Sequence, residues 1–164
     1  MNLKTLAKLL ALSGTAMCLG ATPGIAAGGV HCQDVGGGVL TNFLDSTHTE
    51  GTSTGDIRGA IGVAILAPPA SGPNGTTVYH VQHHWVTDAG DTIFLQNADL
   101  TLFPTSDPNR VLGDYLNGVE ISGGTGRFEG ANGHLSSVFG AADLNLGQIT
   151  LRYAGTICFA PVKG

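Results

Sequence analysis

Apolar and polar residues alternate with a period of two along most of the chain. The clearest case is Gln148–Phe159. Ile149, Leu151, Tyr153, Ile157 and Phe159 share one face, and Gln148, Thr150, Arg152 and Thr156 share the other. That period predicts a half-buried β-strand. The same reading predicts strands over Gly38–Leu44, Asp56–Leu66, Thr76–Thr87, Thr92–Phe103 and Gly133–Gly140. Arg110–Ser122 reads as one long strand, or as two broken near Asn117-Gly118. In Asp56–Leu66, Ile57, Ile61, Val63 and Ile65 fall on one face and Ala60, Gly62, Ala64 and Leu66 on the other. Both faces of that strand are therefore candidates for cover, which permits a homo-oligomer.

Between these runs lie clusters of turn-forming residues. Asp45–Ser53 is polar and reads as a hairpin region. Ala67–Gly75 carries three prolines and cannot sit inside a sheet. Asp88–Asp91 is a tight turn, and Pro104–Asn109 is a turn with two prolines. The sharpest corner is Ile121–Gly133, rich in glycine, with Phe128 as its one large apolar side chain. Gly123, Gly124 and Gly126 supply the turned backbone, and Phe128 is the side chain able to anchor it in a core. No stretch carries a convincing helical period. Seven or eight antiparallel strands with one apolar face favour an all-β closed up-and-down barrel of about eight strands, because closure removes exposed edges.

The amino terminus departs from this pattern. Lys4 and Lys8 precede an apolar run, Leu9–Ala21, too short to span a membrane comfortably. A breaker, Thr22-Pro23-Gly24, and small residues, Ile25-Ala26-Ala27, follow. Residues 1–27 thus read as a secretory signal peptide cut near Ala26 or Ala27, with a single domain over 28–164. Met17 before Cys18 argues against lipidation. Cleavage takes two of the seven Lys+Arg residues and none of the twelve acids, leaving a formal charge of −7. Nucleic acid is a poor partner for such a chain, and membrane insertion after signal removal is not expected. Secretion or periplasmic export is oxidising, and the two cysteines that remain, Cys32 and Cys158, predict a disulfide. A loop that long is worth about 4–5 kcal/mol in the chain-entropy model.

Val119–Ile121, Gly123-Gly124-Thr125-Gly126-Arg127-Phe128 and Ala131-x-Gly133 together resemble the turn signature of the allene oxide cyclase and dirigent-like barrels. Tyr153-Ala154-Gly155 on the closing strand and Gly55-Asp56-Ile57-Arg58-Gly59 are similar to further stretches of that family. The resemblance covers the last third of the chain well and the rest loosely. It implies an eight-stranded barrel with an apolar lumen. It also implies chemistry, where there is any, without cofactor or metal: a reactive molecule held in one conformation while it cyclises or couples. No catalytic residue of the plant enzymes maps onto this chain by motif.

Candidate chemistry centres on His80-Val81-Gln82-His83-His84-Trp85. His80 and His84 share a strand face but sit about 13 Å apart. One metal ion cannot bridge them with ligand bonds near 2 Å, so a metal site is not expected. The opposite face carries Tyr79, Val81, His83 and Trp85. Turned toward a lumen, it offers an aromatic lining and one titratable group able to bind or protonate a ligand; the competing reading is a core histidine satisfied by its neighbours. Tyr115, Asn117 and Tyr153 are the further candidates for holding a ligand. The inward face of 92–103 is ambiguous, either Asn97 with Asp99 or Gln96 with Ala98. A lumen-facing acid, Asp99 or Glu120, is the best candidate for a general acid or base, with His83 the other group able to move a proton. The glycine corner lacks the Lys-Ser/Thr ending and helix of a phosphate loop, and no Gly-x-Ser-x-Gly elbow exists. The reading is an exported barrel binding an apolar small molecule. The alternatives are a cofactor-independent cyclase or isomerase, and a structural or partner-binding barrel with a filled core.

Overall fold

The alternation of Gln148–Phe159 is realised as the last strand of a closed barrel. The computed structural model describes residues 29–161; the segment read as a signal peptide, 1–27, lies outside them. Eleven strands form: β1 (His31–Phe43), β2 (His48–Gly55), β3 (Gly59–Ile65), β4 (Ala70–Ser71), β5 (Thr77–Thr87), β6 (Thr92–Leu95), β7 (Ala98–Pro104), β8 (Arg110–Asp114), β9 (Val119–Gly124), β10 (Asn132–Asp143) and β11 (Gln148–Phe159). β4 is a short appendage on β5. β6 and β7 are two halves of one stave, and β8 and β9 two halves of the next. Both halves of the first pair with β5, and both halves of the second with β10. The result is eight antiparallel staves, closed where β1 meets β11.

Each broken stave has a local cause. In the β6–β7 stave, Trp85 pairs with Ile93 but Val81 pairs with Ala98, so one extra residue sits between the halves at Gln96-Asn97. Such a bulge reverses which parity faces inward. Ile93 and Leu95 turn in before it, and Ala98, Leu100 and Leu102 after it, while Gln96, Asn97 and Asp99 are exposed. The second stave breaks at a turn where Gly118 N–H donates to the Tyr115 carbonyl, 2.7 Å. Gly118 holds φ 66° there, and a Cβ would run into the Leu135 carbonyl and the His134 ring.

One end of the barrel is plugged. Phe128, on a single 3₁₀ turn (Gly126–Phe128), is wholly buried and packs on Phe159 with ring centroids 5.6 Å apart. The corner needs glycine at position 126, where φ is 55° and a Cβ would strike the Asp91 carboxylate. Ile57, Ile93, Ile121 and Ile157 complete the floor. Ile57 lies on the connection between β2 and β3 rather than in the long strand read over Asp56–Leu66. The Tyr153 hydroxyl holds it there, donating to the Thr54 carbonyl (2.9 Å) and accepting from Ile57 N–H (3.0 Å). Cys32 and Cys158 face each other in the β1–β11 register and form a disulfide, 126 residues apart in sequence.

Tyr153→Phe keeps the ring but leaves the buried Ile57 N–H without a partner. The expected loss is about 1–3 kcal/mol, read as a lower urea midpoint at unchanged m-value.

Candidate functional site

Above the floor the staves enclose a cavity of about 170 Å³. Trp85 and Tyr153 stand at its lower end, 2% and 3% exposed, ring edge to ring face at 5.1 Å. The Trp85 indole N–H donates to Ser53 Oγ, 2.8 Å. The walls are aliphatic: Ile61, Val63 and Ile65 from β3, Leu95, Leu100 and Leu102 from the β6–β7 stave, and Leu135, Val138 and Leu151 opposite. The upper end is bounded by the β1–β2 and β10–β11 hairpins, where Phe43, Ser46 and Leu144 form the rim. Phe43, Leu44, Leu144 and Leu146 are all solvent-exposed there. Asp45 shapes this rim, accepting hydrogen bonds from the backbone N–H groups of Thr47 (2.7 Å) and His48 (2.9 Å) and from the Thr47 hydroxyl (2.8 Å). These bonds draw its carboxyl down to about 2.

Among the described residues, no carboxylate, lysine or arginine lines the cavity; its polar side-chain groups are hydroxyls, one imidazole and the Trp85 indole N–H. His83 Nε2 lies 2.8 Å from the Tyr115 hydroxyl, with ring centroids 5.3 Å apart. Burial, and secondarily the neighbouring His84, lower the His83 pKa to about 4. Burial also raises the Tyr115 phenol well above its ordinary range. Both groups are therefore neutral near pH 7. His83 Nδ1 is buried with no hydrogen-bond partner, and so is the Thr49 hydroxyl. Thr49 pairs with Val63 and Val63 with His83, so the two orphaned groups occupy one cross-strand row.

Tyr79, His83, Trp85, Tyr115 and Tyr153 all line the cavity. Asn117 does not. It sits exposed on the Tyr115–Gly118 turn, which pushes it out of the strand parity. Asp99 and Glu120 also face outward. The bulge at Gln96-Asn97 turns Asp99 out, where its carboxylate lies 2.8 Å from His80 Nδ1. Glu120 alternates with the buried Val119 and Ile121 and lies 2.8 Å from His134 Nδ1. Neither acid can serve His83 inside the lumen, and the group beside His83 is the Tyr115 phenol. His80, Gln82 and His84 are exposed on the outer wall. Thr49 escaped the sequence reading because β2 turns small polar residues inward (Thr49, Gly51, Ser53), which leaves no hydropathy signal. The usable sign was strict alternation with the bulkier or charged His48, Glu50 and Thr52.

Comparison with protein-family models, with curated proteins and with solved structures finds no match to this chain.

The lowered His83 pKa makes stability depend on pH in one direction. Above about 6.5, both folded and unfolded chains hold His83 neutral and it contributes nothing. As pH falls below that, the unfolded chain takes up the proton and the folded chain does not. Stability then drops progressively, by about 3 kcal/mol from this group by pH 4, the folded-state value. Urea titrations across pH 7 to 4 should show that drop. In His83→Phe the same part of the pH dependence should be missing.

Proposed function

We propose that this protein is an exported binding protein that holds a small apolar molecule inside its barrel. The observation that carries the reading is the 170 Å³ cavity, almost wholly apolar in its walls and free of charged lining. An apolar cavity of roughly 150 Å³ is enough to bind a single aromatic ring. The space is smaller than the roughly 300–1,000 Å³ of drug-sized pockets. The occupant is thus about one ring in size, or a longer molecule whose remainder passes between the rim residues Phe43 and Leu144. The cavity argues against a barrel packed solid by its own side chains. The disulfide, a bond that forms and persists in oxidising compartments, and the signal-like amino terminus support export.

The closed eight-stave barrel and the Phe128 corner also support kinship with the allene oxide cyclase and dirigent-like barrels. In that context a second reading is favoured by one observation, the neutral His83–Tyr115 pair within the cavity. A neutral imidazole bonded to a phenol can take or return a proton from a bound molecule, as a cofactor-independent isomerase or cyclase requires.

Gly113 faces the cavity, and a Cβ there would lie 3.3 Å from the tips of Leu100 and Leu102, which can move aside. Gly113→Leu therefore fills the lumen while leaving the barrel folded. Organic extraction of the wild-type protein followed by mass spectrometry should release a neutral apolar compound that the variant lacks. Ligand affinity in the variant should fall roughly tenfold or more. A wild-type extract with no bound compound, together with no heat on titration with ethylbenzene or acetophenone, overturns the reading.

A further inference from the structure

Two of the polar side chains that line the cavity, His83 and Thr49, carry a buried atom without a hydrogen-bond partner among the described residues. The Tyr115 hydroxyl has His83 Nε2 as its one hydrogen-bond partner, at 2.8 Å. Two arrangements of protons satisfy that bond. If Nε2–H donates to the phenol oxygen, two groups are stranded: the phenol hydrogen lacks an acceptor, and Nδ1 lacks a donor. If the phenol donates to Nε2, only Nδ1–H is stranded. The second arrangement leaves fewer buried polar groups unpaired and is the one to expect. The orphan on His83 is then a donor, buried in the wall of the lumen. In the same cross-strand row stands a second unpaired group, the Thr49 hydroxyl, which can also donate. Both lining groups that lack a partner can thus be satisfied by acceptor atoms of a guest.

Charge narrows the choice further. No Lys or Arg lines the cavity, and no acid does. An anionic guest would be desolvated with no cation to meet it, and a cationic guest with no carboxylate; either is penalised heavily. Resting on the ligand-binding reading above, we infer that the lumen is built for a neutral, single-ring-sized molecule carrying a hydrogen-bond acceptor oxygen, such as a ketone, aldehyde, ester or ether, which His83 Nδ1–H and the Thr49 hydroxyl receive. Neither His83 Nδ1 nor the Thr49 hydroxyl has accessible surface, so the oxygen reaches them as these side chains or their lining neighbours give way.

The test is isothermal titration of the purified protein with three molecules of one shape and different polarity: acetophenone, ethylbenzene and sodium benzoate, at pH 7. Acetophenone should bind roughly tenfold more tightly than ethylbenzene, the equivalent of about one net hydrogen bond. Benzoate should give no measurable binding. The triple variant Thr49→Val/His83→Phe/Tyr115→Phe keeps two aromatic rings in the wall and removes both proposed donors, and no lone phenol is left to take over. It should still bind ethylbenzene and lose most of the preference for acetophenone. Equal affinity for acetophenone and ethylbenzene overturns this inference while leaving the apolar-lumen reading intact. Benzoate binding as tightly as acetophenone overturns it as well, and so does a preference that survives in the triple variant. Absence of binding by all three overturns this inference, and together with a wild-type extract that holds no bound compound it removes the ligand reading as well.

Discussion

The first and last strands meet in continuous antiparallel register, from His31–Phe159 to Asn42–Gln148. Everything else in the molecule is conditional on that seam. A sheet closed on itself has no free edge, and each inward side chain must share one narrow interior with those of every other stave. The seam also brings Tyr153 against Gly37, where a Cβ would collide with the tyrosine ring and hydroxyl. Gly37 is therefore the complement of the aromatic opposite it. Tyr153 in turn reaches across the floor to hold Thr54 and Ile57, and its ring supports Trp85. Closure, floor and lower lumen wall are one connected arrangement, with the disulfide clasping the same two strands near their ends.

The barrel is filled unequally along its axis, and this makes a site of it. At the floor, isoleucines and Phe128 pack without remainder, and Phe128 and Ile157 have no exposed surface at all. Higher up, β2 contributes only Thr49, Gly51 and Ser53 to the interior, and Gly113 and Ala142 stand where larger residues would meet the middle. Small side chains on β2, β8 and β10 leave space that the aliphatic residues of the other staves do not reach. Into that space the protein places one imidazole and one phenol, bonded to each other and kept neutral by burial. Leaving buried polar atoms unpaired is unfavourable for folding. Their presence at the cavity, and not within the packed floor, is the feature on which the proposed binding role rests.

The exposed leucines and Phe43 at the rim fit the same picture. They belong to the two hairpins that flank the β1–β11 seam, held by Phe43 N–H donating to the Gly147 carbonyl and Leu144 N–H to the Asn109 carbonyl. The interior apolar surface thus runs out through the mouth without a polar break in this sector, which is a suitable path for a poorly soluble guest.

Much of this was legible in the residues themselves. Period-two alternation, glycine punctuation and an even pair of cysteines determined an all-β chain, its closing strand, the Phe128 anchor and the disulfide, because these depend on local geometry and on composition. The inward face of β5 was readable for the same reason: Tyr79, Val81, His83 and Trp85 repeat without interruption. What only the tertiary structure decided was parity beyond a bulge and partnership across the barrel. A single inserted residue at Gln96-Asn97 sent Asp99 to the outer wall, settling a face that alternation had left ambiguous, and a turn at Tyr115–Gly118 sent Asn117 out, though it had shared a face with Tyr115 on simple alternation. The pairing of His83 with Tyr115, 32 residues apart in sequence, follows from how the staves wrap around the axis. So does the shared row of Thr49 and His83. Local pattern fixes which way a strand faces only until its register slips, and strand pairing across the closed sheet determines which facing residues meet.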